Sequence, residues 1–189
     1  MTQQGKNAID LVLAESLIEL SAKKPIDKIT IKEITDKAGV IRPTFYNHFQ
    51  DKYELIEWII KSELLEPIKP LLNAGMIFEA IVLMLNNISA NSAFYKKALK
   101  LEGAVTFNQI AMKCVYEMFM NIISEKSTGK KSKYRWLTPE VISTYYAQSL
   151  CFITEGWIAQ GMDDIEPKEM AEAYMYLITR SMDDILSEL

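Results

Sequence analysis

The side chains of this 189-residue chain that can do chemistry together crowd into one stretch, Thr30 to Tyr53, TIKEITDKAGVIRPTFYNHFQDKY. Arg42, Thr44, Tyr46, Asn47 and His48 offer hydrogen-bond donors and acceptors there, with Lys32 and Lys52 to either side. That is the chemistry of binding. Catalysis lacks its parts. The single histidine of the chain is spent in this stretch, and there is no nucleophile elbow, phosphate-cradling glycine loop or metal-ligand spacing. Glu155 and Glu166 are isolated carboxylates with no partner that the sequence places. No enzyme, catalytic residue, metal site or cofactor is expected.

Two short helices must position these groups. Thr30 precedes an apolar run and Glu33 follows three residues on, a capping box in which each side chain satisfies a backbone N–H of the other residue. Ile31, Ile34 and Ala38 then share a face. Gly39 ends this helix, because glycine enters the left-handed region at little cost. Val40 fills the corner. Pro43 opens a second helix, where its missing N–H does no harm, and this helix is expected from Arg42 to Phe49. Phe45 and Phe49, four apart, point inward and leave the polar residues outside. The pair makes a helix-turn-helix.

The run ITIKEITDKAGVIRPTFYNHFQDKYELI, with its Ala-Gly-Val turn, Thr-Phe-Tyr, His-Phe and Asp-Lys, closely resembles the DNA-binding signature of the TetR family of bacterial transcription regulators. Phe94-Tyr95-Lys96 and the Trp157 to Met162 segment resemble, more weakly, a subgroup that includes the activator of dihydroxyacetone kinase genes. The resemblance implies roles for named residues. Thr30 contacts a phosphate at a helix start, and Lys32 takes a phosphate or a base edge. Arg42, Pro43, Thr44 and Asn47 face the major groove. The Arg42 fork matches O6 and N7 of guanine, and Asn47 can address an adenine. Tyr46, His48 and Lys52 resemble phosphate contacts, which set register but not sequence. Ile41 departs from the family, since many members carry Ser or Thr there. The usual side-chain cap of the recognition helix is therefore expected to be missing.

The bulk numbers fit this reading. A composition 49% hydrophobic and 24% charged is that of an ordinary globular protein, and seven glycines with six prolines favour helices over strands. Taken over the whole chain, the net charge of −4 opposes DNA. From Lys28 to Tyr53, however, five basic residues (Lys28, Lys32, Lys37, Arg42, Lys52) stand against three acidic ones (Glu33, Asp36, Asp51). Cys114 and Cys151 lie in apolar helical patterns and read as buried thiols in a reducing cytoplasm. Met1 to Asp10 shows no signal peptide, and the apolar run Ala104 to Ile123 carries too many polar residues for a membrane span.

The fold expected is all-α: an N-terminal three-helix helix-turn-helix domain over 1–50, then a larger helical regulatory and dimerisation domain over 51–189. Helix one runs from about Lys6 to Ala22. A helix capped by Asp51 and closed by Glu54 bridges the parts and ends at Pro67 and Pro70. Lys126 to Arg135 reads as a solvated basic loop, and Thr138-Pro139 starts a helix that stops at Gly161. A last helix, Pro167 to Leu186, shows two apolar faces, so a second copy of the chain is expected to pack on the last two helices. Phe107, Met118, Tyr145, Phe152 and Trp157 are the candidates for a ligand pocket in the body. The function expected is a ligand-responsive repressor acting as a homodimer on a double-stranded, palindromic operator. The alternatives are an activator controlled by a protein partner, or a helical adaptor without DNA binding.

Overall fold

A computed structural model describes residues 3–102, 105–126 and 132–188; among these every regular element is a helix. The head comprises α1 (Gln3–Lys23), a single 3-10 turn (Ile26–Lys28), α2 (Ile31–Ala38) and α3 (Arg42–Tyr46). Leu13 and Leu17 of α1, Ile26, Ile29, Ile34 and Phe45 fill its centre and are almost wholly excluded from solvent. Apolar burial of this kind, at ~25 cal/mol per Å², is what holds α2 and α3, 8 and 5 residues long and marginal alone, against the longer α1.

The bridge differs from expectation. Pro67 and Pro70 do not end it. Helix α4 (Lys52–Ile59) passes into a π-helical segment (Ile60–Leu65) and on into α5 (Glu66–Asn73) without a break. In an α-helix the Pro67 ring would press on the carbonyl four residues back, at Glu63. The wider turn relieves this. Glu66 N–H bonds the Lys61 carbonyl five residues back, and the Glu63 carbonyl instead accepts a hydrogen bond from Asn87 Nδ2 at 2.9 Å.

The body continues with α6 (Ile77–Ala90), α7 (Ser92–Ala98), α8 (Phe107–Lys126) and α9 (Pro139–Ala159). Helices α8 and α9 pack along each other, α5 lies on α6, and α4 touches both α1 and α8. The bridge is tied to α8 by charge: Glu57 receives Lys61 at 2.7 Å and Lys113 at 2.8 Å, and Lys61 also reaches Glu117 at 2.7 Å. Burial pushes the Glu57 carboxyl up, but the two ammonium groups outweigh it and hold it below the usual range. Gly161 and Met162, both left-handed, end α9.

The last helix is also not continuous. It divides into α10 (Pro167–Thr179) and α11 (Met182–Glu188) at an extended Arg180. Ser181 restarts the chain as a cap: Asp184 N–H donates to its hydroxyl at 3.2 Å, and the Asp184 carboxylate accepts from Ser181 N–H at 3.1 Å. Cys114 and Cys151 are buried and unpaired, and burial pushes both thiols up to about 12. The basic loop expected from Lys126 is helical at that residue, and residues 127–131 lie outside those described. No single helix among the described residues is long and apolar enough to cross a membrane.

Candidate nucleic-acid interface

The first turn of α2 is built as its spacing requires. Glu33 N–H donates to Thr30 Oγ1 at 3.3 Å, and Thr30 N–H donates to Glu33 Oε2 at 2.9 Å. The Thr30 hydroxyl also donates to that oxygen, at 2.7 Å, so it is already engaged where the resemblance gave it a phosphate. Lys24, just past α1, pairs with Glu33 at 2.5 Å. Lys24 first and Thr30 second hold the Glu33 carboxyl down at about 2. Lys32 stands exposed and pairs with Asp36 at 3.1 Å. Gly39 turns the chain at φ +68°, and Val40 N–H closes the corner onto the Thr35 carbonyl at 3.0 Å.

Helix α3 is shorter than expected, Arg42–Tyr46, and Asn47 and His48 lie in the turn that follows it. Ile41 caps it with no side-chain hydrogen bond and is 68% exposed. Its seat is aromatic: the Phe45 and Phe49 rings are 5.9 Å apart, and Phe49 meets Trp58 edge-on at 6.3 Å. Arg42, Pro43 and Asn47 are exposed, Thr44 is half-buried, and Tyr46 is 52% exposed with its ring edge-on to Phe45. These side chains carry donors and acceptors outward from a short helix and the turn after it, seated on buried rings, the form that enters a major groove.

Two residues expected at phosphates turn inward. The His48 side chain is only 2% exposed and its Nδ1 lies 2.6 Å from Asp10 Oδ1 on α1. The Lys52 ammonium donates to the carbonyls of Ile26, Asp27 and Ile29, at 3.0, 2.7 and 3.1 Å. Burial lowers the Lys52 pKa. All three Lys52 protons are thus spent on the 3-10 turn. Glu54 closes its box one residue early, accepting from Gln50 N–H at 2.5 Å, while Asp51 caps α4 through Tyr53 and Glu54 at 2.8 and 2.9 Å.

The five pocket candidates do not converge. Phe107 lines a partly open cavity of about 40 Å³, with Ile60, Leu64 and Leu65 of the bridge, Tyr95 and Thr154, while Phe152 and Trp157 share the wall of a wider surface recess with Lys96 and Met170. Met118 faces a separate recess beside Lys69 and Leu72. Trp157 is buried, its indole N–H donating to the Ile165 carbonyl at 2.8 Å. Phe152 and Tyr145 are surface residues, 78% and 62% exposed. Helical spacing placed Phe107, Met118 and Trp157 on buried faces of α8 and α9, but Tyr145 and Phe152 on the outer face of α9. The cavity's polar members went unread: the Tyr95 hydroxyl and Thr154 Oγ1 are buried with no partner among the described residues. Tyr95 sits beside two lysines in sequence, which gave no sign of burial.

A helix-turn-helix with an outward polar recognition face, carried by one long bridge into an all-helical body, defines a DNA-binding transcription regulator. The model of the bacterial regulatory proteins of the tetR family matches residues 15–59, and that of the transcriptional regulator C-terminal region, TetR_C_8, matches residues 76–180. The chain belongs to the TetR family, a family of regulators and not of enzymes. It is 26% identical over 152 residues, 79% of each chain, to the HTH-type dhaKLM operon transcriptional activator DhaS of Lactococcus lactis subsp. lactis (strain IL1403). A solved structure of the dihydroxyacetone kinase operon activator DhaS shares its fold at a TM-score of 0.60 and 20% identity, covering 95% of both chains. So does NalD, the secondary repressor of the MexAB-OprM multidrug efflux pump in Pseudomonas aeruginosa, at 0.59 and 12%, covering 92% of this chain and 96% of that one.

Proposed function

We propose that the protein acts in the cytoplasm as a homodimer that binds a near-palindromic operator, with residues 1–50 as the reading head and 51–189 as the regulatory and dimerisation body. The observation that carries this is the outward set on α3 and the turn after it: Arg42, Tyr46 and Asn47 stand out to solvent with Thr44 half-buried among them, while Phe45 is wholly buried beneath. Arg42 is assigned to guanine and Asn47 to adenine. Lys32 and Tyr46 are assigned to phosphates, together with the N–H groups at the start of α2. The dimer sets two heads roughly 34–36 Å or a multiple apart along the duplex.

An effector, either a small molecule that widens the cavity of about 40 Å³ beside the bridge or a protein partner on the body, changes that spacing. The bridge supplies three residues of the cavity wall, which supports this coupling. Both repressor and activator action are compatible with such a device. The sequence likeness to DhaS, named an activator, favours the activator reading, and the fold shared with NalD, named a repressor, supports the other.

Selection of duplexes from a random library by the purified protein tests this function. A palindromic consensus is the expected result, and Arg42→Ala should relax one position of it and cost about 1–3 kcal/mol on the best duplex. Enrichment of no sequence at moderate salt would leave a helical adaptor working through protein contacts alone.

A further inference from the structure

We propose that Asp10 and His48 form a strut that sets the pose of the recognition helix, which makes Asp10 a positioning residue for DNA reading. This rests on the DNA-binding function proposed above. Helix α3 has few means of holding its orientation. It is five residues long, and its cap residue Ile41 contributes no side-chain hydrogen bond. Phe45 and Phe49 seat it by apolar contact, which is strong but non-directional and tolerates rotation about the helix axis. Rotation is what a reading helix must avoid, since it moves Arg42, Thr44 and Asn47 together relative to the base edges.

One directional tie resists it. Among the described residues the His48–Asp10 pair is the only side-chain hydrogen bond from residues 41–49 to the rest of the fold. It spans 38 residues of sequence and joins the end of the recognition unit to the middle of α1. An ionised carboxylate only accepts, so Nδ1 carries the proton and donates to Asp10. The ring is almost fully enclosed and the carboxylate mostly so, which keeps water from competing for the bond. Lys52 acts in the same sense from the other side, since its ammonium gathers the carbonyls of the 3-10 turn that leads into α2. Two side chains of the signature thus serve inside the head.

The chain holds a single histidine, so its imidazole is directly readable by nitrogen-15 NMR of the full-length protein. In the wild type a downfield, slowly exchanging Nδ1–H is expected. Asp10→Ala should abolish that signal. It should also lower affinity for the duplex consensus recovered by wild-type selection about tenfold, the loss of one charge-assisted hydrogen bond. Affinity for a scrambled duplex of equal length should stay within about twofold. Asp10→Asn keeps an acceptor oxygen and should restore most of the selective affinity, and it is the fallback should Asp10→Ala not fold.

A variant that loses the signal yet keeps full selectivity overturns the strut's role. So does an equal loss on both duplexes, which would mark a general weakening of the head. If the wild type selects no consensus, the DNA reading fails and this role fails with it. An Nδ1–H signal that persisted in that case would show the pair to be a feature of the fold only.

Discussion

Glu33 makes three bonds to two residues of the head through one carboxylate. It caps α2 through Thr30, it receives the Thr30 hydroxyl, and it pairs with Lys24 beyond α1. These partners hold its carboxyl at about 2 in the folded chain, below the roughly 4.3 of an unfolded glutamate. A depressed folded value means that its contribution is complete above pH of roughly 4.5 and is lost as pH falls toward 2. Glu33→Gln should therefore lower the melting temperature at neutral pH, and the deficit should shrink steadily between pH 5 and pH 2. A deficit that stayed constant with pH would show that the charge of Glu33 does not matter. The capping box was legible because both partners lie within three residues. The inward turns of His48 and Lys52 were not. Asp10 is 38 residues from His48, and the carbonyls that hold Lys52 are 23 to 26 residues back, so no local pattern announces them.

Among the elements, the bridge departs furthest from its sequence reading. Proline rules concern α-helices, where Pro67 would meet the Glu63 carbonyl. The π segment moves the bonding by one residue, and Asn87 from α6 supplies the donor that the carbonyl loses. No reading of residues 51–73 alone contains that donor. Asn91 adds a second tie, to the Glu63 carboxylate at 3.3 Å, and burial raises that carboxyl above its usual value. Asn87→Ala leaves the Glu63 carbonyl without its donor and should cost about 1–3 kcal/mol in urea unfolding. A loss under about 0.5 kcal/mol would mean that water takes the donor's place. The break between α10 and α11 has a similar origin in reverse. Ser181 and Asp184 form a local capping box, legible in principle, but the apolar spacing across it was continuous and concealed it.

At the scale of the whole molecule, the fold class and the order of head, bridge and body followed from helix number, caps and the helix-turn-helix motif. Which helix faces meet did not, because a period of 3.6 gives a face and not its neighbour. Phe152 is the clearest instance. It was expected in a pocket within the body and stands 78% exposed on α9 at the wall of a surface recess, with Tyr145 exposed two turns away on the same helix and Leu177, Met182 and Leu186 exposed on α10 and α11. An apolar set of this size on the last helices is what the proposed two-fold interface requires, and a two-fold axis would double the effect of any residue in it. In the proposed dimer, burying Phe152 would contribute about 1.5–3 kcal/mol per copy. Phe152→Glu should therefore raise the dimer dissociation constant by at least about a hundredfold in sedimentation, and it should weaken binding to a palindromic duplex far more than binding to a half-site. The head is untouched by this substitution, so half-site affinity serves as the internal control. A dimer that persists unchanged would move the interface away from α9.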